Sequence, residues 1–348
     1  MRQRKSSVAR LALLIAGLVL VFLLLPIVLN GYLRHLAILG MLFAVAASNW
    51  DLTLGYAGVF NFAHIAFFGL GAYTSGILSV KLGISPWLGI LAGIVVAVAV
   101  SAIVSVPAIR LRGIYVALLT FAFSQLVLLI ILSQHEITGG LQGLVGVPNL
   151  TVGTFNFRDS RVAYFYLCGG LLLASTIFLR RVVNSDLGLS LVALRDFEEY
   201  AISRGVPLAR QRFLAFVFSA MFTGAAGAVF SHYLIVASPE FFGFSYAVLF
   251  LSMILVGGSS TIYGPIVAGI LLTIISELLS GLGPVRFMIV AVIIILTMRF
   301  FPQGIWGLVR QFSYWSVRSP EIRTDDVITP PGDRETLQSR EGLPNHPP

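Results

Sequence analysis

Long apolar runs separated by short polar ones dominate the chain. Runs that read as membrane spans occupy residues 11–29, 35–53, 62–80, 86–109, 113–132, 162–179, 213–236, 245–258, 265–283 and 285–300. Crossing a bilayer takes about 20 apolar residues of helix. The shortest run, 245–258, ends in Gly257-Gly258. A lipid-exposed strand edge has no water to satisfy its backbone, so the runs are read as helices. The pattern predicts an all-α polytopic membrane protein with about ten transmembrane helices. Residues 11–29 follow Arg2, Arg4, Lys5 and Arg10, as the core of a signal peptide would. The run is long and no small-residue cleavage site follows it, so it reads as a retained span. The expected organisation is a basic N-terminus (1–10), a transmembrane domain (11–310) and a tail (311–348). The tail is rich in proline and charge and is predicted to be largely disordered.

Composition narrows the function. Of the 348 residues 57% are hydrophobic and only 11% charged, under half the roughly 25% of a soluble domain, which excludes an ordinary soluble enzyme. The single cysteine, Cys168, excludes a disulfide framework and a cysteine-cluster zinc site. Neither Lys5 nor Lys81 lies in a Gly-x-x-x-x-Gly-Lys run, so ATP, if it is used, is bound by another chain. The net charge of +8 reads as membrane orientation, with no nucleic-acid partner implied. With ten spans and the N-terminus inside, 18 of the 23 Lys and Arg fall on the inner side and five on the outer side. The predicted topology therefore has both termini cytoplasmic, an outer loop at 133–161 and a cytoplasmic loop at 180–212.

Candidate chemistry inside the spans is sparse. Asp51 sits at the inner end of the second span and reads as an interfacial helix end. Glu277 lies near the outer face, where structural capping or pairing with Arg286 is expected. His64 and His232 have no second ligand at metal spacing and read as hydrogen-bonded packing residues. No nucleophile–base motif, His-Glu-x-x-His or paired carboxylate set is present, so no catalytic residue, metal or cofactor is expected. A proton-coupled secondary carrier would need a buried relay of acids or bases, which this chain nearly lacks. Gly89, Gly93, Ala97, Ser101 and Ser105 recur every four residues, as do Ser219, Thr223, Gly227 and Ser231, with Ala220, Gly224 and Ala228 beside them. Such stripes let helix backbones approach closely; a dimer seam or a pathway lining is the alternative. Gly-interrupted apolar stretches occur once in each half, at Gly55–Gly71 and Gly257–Gly264, and transporters often break helices at matching points of two repeats.

In the cytoplasmic loop, residues 186–204 read as one helix, with Ser185 or Asp186 at its start and Gly205 and Pro207 at its end. Leu187, Leu191 and Leu194 form an apolar stripe continuing toward Ala201. Arg195, Asp196, Glu198 and Glu199 occupy the other positions. The acids favour docking on a partner over lying on anionic lipid.

Six ordered stretches carry a family resemblance: "LTLGYAGVFNFAHIAFFGLGAYTSGIL" (52–78), "LRGIYVALLTFAFSQLVLL" (111–129), "ITGGLQGLVGVP" (137–148), "GLSLVALRDFEEYAISRGVPLARQRFLAFVFSAMFTGAAGAVF" (188–230), "LVGGSSTIYGPIVAGILL" (255–272) and "RFFPQGIWGL" (299–308). Together, from about residue 35 to 310, they resemble the permease subunits of branched-chain amino-acid ABC importers. Several positions depart from the family pattern. Tyr200 stands where Ala is usual and Arg204 where an apolar residue is. Ser259 and Ser260 interrupt the usual Gly-Gly-x-Gly, and Phe301 replaces an Arg beside Pro302. The resemblance implies the larger importer-permease fold with two inverted half-repeats. It also implies two ATP-binding cassette subunits, a second homologous permease subunit and an external solute-binding protein, all at the inner (plasma) membrane and in contact with its lipid. Urea or short-amide importers are similar and form the alternative.

On this reading Leu191, Leu194, Asp196, Glu198, Ala201 and Gly205 couple to the ATP-binding subunit. Gly55, Gly58, Asn61, His64, Tyr73 and Thr74 are expected to line the translocation path, because interrupted helices free backbone groups for a ligand. Lacking a phosphate-cradling loop, the purified chain should hydrolyse no ATP on its own. Phosphate release by the chain freed of all partner subunits would overturn this.

Overall fold

The computed structural model describes residues 24–307 except 154, 158–160, 280, 282, 284 and 301–303. The basic N-terminus, most of the first predicted span and the tail 311–348 lie outside the described residues. The helices are α1 (Gly31–Asp51), α2 (Ala63–Lys81), α3 (Pro86–Arg110), α4 (Ile114–Ser133), α5 (His135–Thr138), α6 (Arg161–Val183), α7 (Asp186–Asp196), α8 (Glu198–Ser203), α9 (Leu208–Leu234), α10 (Phe244–Gly257), α11 (Tyr263–Leu278) and α12 (Val285–Phe300). Nine of the ten predicted runs coincide with a helix.

Six helices among the described residues are long and apolar enough to cross a membrane: α1 with its continuation to Tyr56, α2, α3, α4, α6 and α9. The expectation of ten is not met at this criterion. Helices α10 and α11 have 14 and 16 residues, or roughly 21 and 24 Å at 1.5 Å per residue, against a hydrocarbon core of about 30 Å. Helix α10 stops because Gly258 takes φ 104°, a conformation open mainly to glycine.

Helices α1, α2 and α9 form the centre, and α3, α4 and α6 present most of their surface outward. Small residues set the spacing of the centre. A Cβ on Gly71 would strike the Gly224 backbone, and one on Gly227 would strike the Phe68 carbonyl. One on Gly93 would lie 2.8 Å from the Gly71 oxygen. All five residues of the α3 stripe and all four of the α9 stripe are buried, so the repeats serve helix packing. An aromatic cluster of Phe43, Phe68, Phe230 and Phe250 fills the space between α1, α2, α9 and α10, with ring centroids 5.4–6.5 Å apart.

The chain between α4 and α6 departs from the all-α expectation. It contains the short strands β1 (Leu144–Val145), β2 (Thr151–Val152) and β3 (Phe155–Asn156). The first pairs antiparallel with β4 (Val236–Ala237), and β2 pairs with β3. Ile235 closes α9 at φ 61°, a costly geometry for a β-branched residue. Its carbonyl accepts from the amides of Gly146 and Val147 at 3.1 and 3.2 Å, which offsets that cost. The predicted single helix 186–204 is two helices, α7 and α8, because Phe197 between them is extended at φ −145°, ψ 74°.

Gly71→Ala and Gly227→Ala should each destabilise the protein by about 1–3 kcal/mol through overpacking. Gly170→Ala should not, because nothing lies within 4 Å of the added carbon. Unfolding midpoints in detergent check the contrast.

Candidate functional site

Alternation of helix direction gathers the C-termini of α1, α3, α6 and α10 and the N-termini of α2, α4, α9 and α11 at one end, beside α7 and α8. Here α1 does not finish as a regular helix. Residues Leu52–Tyr56 form a π-helical turn, a feature frequent at functional sites. The last carbonyls of any helix lack intrahelical partners, and the Gly55 carbonyl meets this need across the fold. It accepts from Arg195 Nη1 at 2.7 Å and from Ser260 Oγ at 3.0 Å. The same Arg195 nitrogen donates to Ser260 Oγ at 2.6 Å, and Arg195 Nε donates to Asp196 at 2.8 Å.

Asp51 completes this junction. It is 1% exposed. Its two carboxylate oxygens accept from the backbone amides of Ser260 and Thr261, each at 3.1 Å. These amides lie just ahead of α11, where unpaired N–H groups favour an anion. Asp51 is therefore no surface helix end; it bolts α1 to the α10–α11 connection. The two Gly-interrupted stretches are thus neighbours, joined through Asp51, Gly55 and Ser260. Gly58, at φ 67°, leaves room for the stem of Arg195, since a Cβ there would lie 2.6 Å from Arg195 Cγ.

The stripe expected to dock on a partner is turned inward. Leu191 and Leu194 are 0% and 2% exposed, and Leu191 packs among Leu52, Tyr56 and Phe216 of its own chain. Ala201 is buried as well. Periodicity marks a helix face as apolar without saying which surface covers it. The large apolar side chains left exposed on the loop are Leu189, Phe197, Tyr200 and Ile202. A groove of about 490 Å³ lies among Arg112 and Phe197–Tyr200. Glu198 starts α8 and ties it down, with Arg212 at 2.7 Å and Arg112 at 3.2 Å. Asp196 faces solvent, and its hydrogen bond from Arg195 holds its carboxyl below the usual carboxylate range. Gly205 ends α8 at φ 88°. Its amide bonds the Ile202 carbonyl at 2.9 Å and that of Val206 bonds the Ala201 carbonyl at 3.1 Å, the pair of bonds of a Schellman motif.

The six residues expected along the path are not gathered around one cavity. Gly55 and Gly58 belong to the junction. Asn61 is buried, and its Oδ1 accepts from the Ala63 amide at 3.1 Å. His64 is fully buried between α1, α2 and α9. Its Nε2 lies 2.6 Å from the Thr223 hydroxyl and 3.1 Å from the Ala46 carbonyl, and its ring stacks on Trp50. His232 is similarly held by Ser75 and the Pro148 carbonyl, each at 2.7 Å. Tyr73 packs its ring against Phe242, and Thr74 is half-buried on α2. A tightly packed helix uses glycine for approach, and Gly69 and Gly71 in this stretch serve that packing against Phe242 and Gly224.

A second cavity lies toward the opposite end. It has a volume of about 550 Å³ and opens between α1, α9, α10, α11 and α12. Phe43, Phe230 and Tyr246 form an apolar wall, and Ser252, Thr273, Ser276 and Glu277 contribute polar groups. Among the described residues no group of three or more His, Cys, Asp or Glu could hold a metal. Sequence reasoning singled out Glu277 but not the cavity. Arg195 and Ser260 were visible only as loop residues, because no local pattern links positions 65 apart.

Comparison with known proteins agrees with the geometry. The family described as "Branched-chain amino acid transport system / permease component" matches residues 32–298, which take in both the junction and the cavity. The high-affinity branched-chain amino acid transport system permease protein LivM of Salmonella typhimurium is 27% identical over 328 residues, covering 88% of this chain and 77% of the relative. LivM of Escherichia coli is 26% identical over 327 residues with the same coverage. No solved structure matches the chain.

Two substitutions test the loop. Glu198→Gln removes the charge that pairs with Arg212, which is 11% exposed, and should cost about 1–3 kcal/mol. Gly205→Val forces a β-branched residue into the left-handed region and should cost a further 1–3 kcal/mol or so locally. Hydrogen exchange of α8 in detergent reads both, with faster exchange expected in each variant.

Proposed function

The chain belongs to the family of branched-chain amino acid transport permeases, and from that membership we propose that it is the membrane-spanning subunit of an ATP-driven importer of branched-chain or similar apolar amino acids. The observation that carries the reading is the family match over residues 32–298, which spans the helical domain almost completely. The cavity supports it. A leucine-sized solute fits within about 550 Å³, its side chain against Phe43, Phe230 and Tyr246 and its ammonium toward Glu277.

Our reading of the assembly follows the family. Two ATP-binding cassette subunits sit on the loop end, against Leu189, Phe197, Tyr200 and Ile202. There Glu198, Ala201 and Gly205 set the pose of α8, and Leu191 and Leu194 hold the loop to the permease. A second, homologous permease completes the path, and an external binding protein delivers the amino acid. The full chain would have about ten membrane helices in two inverted half-repeats, with 1–10 and 311–348 cytoplasmic and 133–161 outside the cell. The excess of Lys and Arg at the loop end supports that orientation.

The reading is tested by uptake into proteoliposomes holding the complex with its ATP-binding subunits and binding protein. ATP-dependent uptake of leucine, isoleucine or valine is expected; uptake of urea or short amides in their place would overturn it. Glu277→Gln removes a charge-assisted hydrogen bond of about 1.5–3 kcal/mol, so the half-saturating amino-acid concentration should rise by roughly ten- to a hundredfold. Unchanged uptake would remove Glu277 from the path.

A further inference from the structure

We infer that Arg195 is the positioning residue through which movement of the cytoplasmic loop reaches the membrane helices. It does so by latching α7 to the π-helical end of α1 and to the α10–α11 connection. The inference rests on the importer reading but concerns a contact set that the reading does not specify.

Three separate pieces of chain meet at one guanidinium. Nη1 of Arg195 bridges the Gly55 carbonyl at 2.7 Å and Ser260 Oγ at 2.6 Å. Asp196 holds the other side of the fork, at 2.8 Å from Nε and 3.3 Å from Nη2. A planar guanidinium suits such a multi-point contact, which a lysine ammonium cannot reproduce in full. The surroundings are shaped around it. Gly58 clears the side-chain stem. Ser260 sits at φ 60°, uncommon for a residue with a side chain and a marker of constraint. In that pose its amide reaches Asp51 while its hydroxyl reaches Gly55. Asp51 fixes the α10–α11 connection to α1 whether or not Arg195 is in place, so Arg195 adds a different link, from this bolted pair to the loop.

The link lies where movement is feasible. Above it α2, α3 and α9 are packed backbone to backbone and cannot slide without opening voids. A π-turn and a glycine-flanked connection hold fewer regular hydrogen bonds and can repose at lower cost. Of the loop's other anchors, Glu198 binds Arg212 and Arg112 on α9 and the α3–α4 turn, and Leu191 packs on Leu52 and Tyr56 without directional bonds, so Arg195 supplies the polar, directional tie to the π-turn and to Ser260. Displacing α7 therefore pulls on α1 and the α10–α11 connection through Arg195, with the Leu191 contact following.

The experiment compares wild type with Arg195→Ala, Arg195→Lys and Ser260→Ala, all in a Cys168→Ala background with spin labels on Ala193, an exposed position of α7, and Phe60. The first readout is the distance distribution between the labels in the reconstituted complex, with and without ATP; it needs no transported solute. Wild type should give one narrow distribution in both states, because loop and π-turn move together. Arg195→Ala and Ser260→Ala should broaden or shift it, and Arg195→Lys should fall between. The second readout is amino acid imported per ATP hydrolysed, expected to fall about five- to fiftyfold in the Ala variants with ATPase retained. Should Arg195→Ala fail to assemble, Ser260→Ala, which leaves the loop sequence intact, decides alone. A narrow, unchanged distribution together with an unchanged ratio would overturn the latch and leave Arg195 a stabilising residue. A wild-type complex that keeps the distances but imports no amino acid would instead count against the functional reading.

Discussion

Backbone polar groups in an apolar layer must find partners, and three irregular features among the described residues answer that constraint. Where α1 unwinds into a π-turn, the Gly55 carbonyl is met by Arg195 and Ser260. Where α11 begins, the amides of Ser260 and Thr261 are met by Asp51. Where α9 ends in a left-handed Ile235, its carbonyl is met by two amides of the α4–α6 connection. Each repair joins segments far apart in the chain, so the helix breaks are also the joints of the tertiary structure.

Between these joints the molecule is rigid for a different reason. The centre is held by contact between small residues, with Gly71 against Gly224 and Gly227 against Phe68 leaving no room for a Cβ. Close packing of this kind tolerates two discrete arrangements better than gradual deformation. Displacement is expected at the polar joints and not within the α2–α3–α9 core. The cavity and the α7–α8 loop lie at opposite ends of that core, which suits a permease of this family. Rigid helices can carry displacement over that span.

What the sequence by itself determined is what depends on neighbours along the chain. Apolar runs located nine helices to within a few residues. The small-residue stripes marked packing faces, Gly205 marked the end of α8, and ordered motifs indicated the family. Tertiary structure decided which surface covers each apolar face and which distant groups satisfy each break. Leu191 and Leu194 have the spacing of a docking stripe, yet they are covered by their own chain, because periodicity records burial and not the identity of the cover. Asp51 and Ser260 are 209 residues apart and Arg195 is 140 from Gly55, so neither link leaves a local signal. The cavity is a space bounded by five helices, and no pattern within one helix specifies a void among several. Helix positions are set by local hydrophobicity and hydrogen bonding, whereas the site arises from long-range pairing of the groups those helices leave unsatisfied.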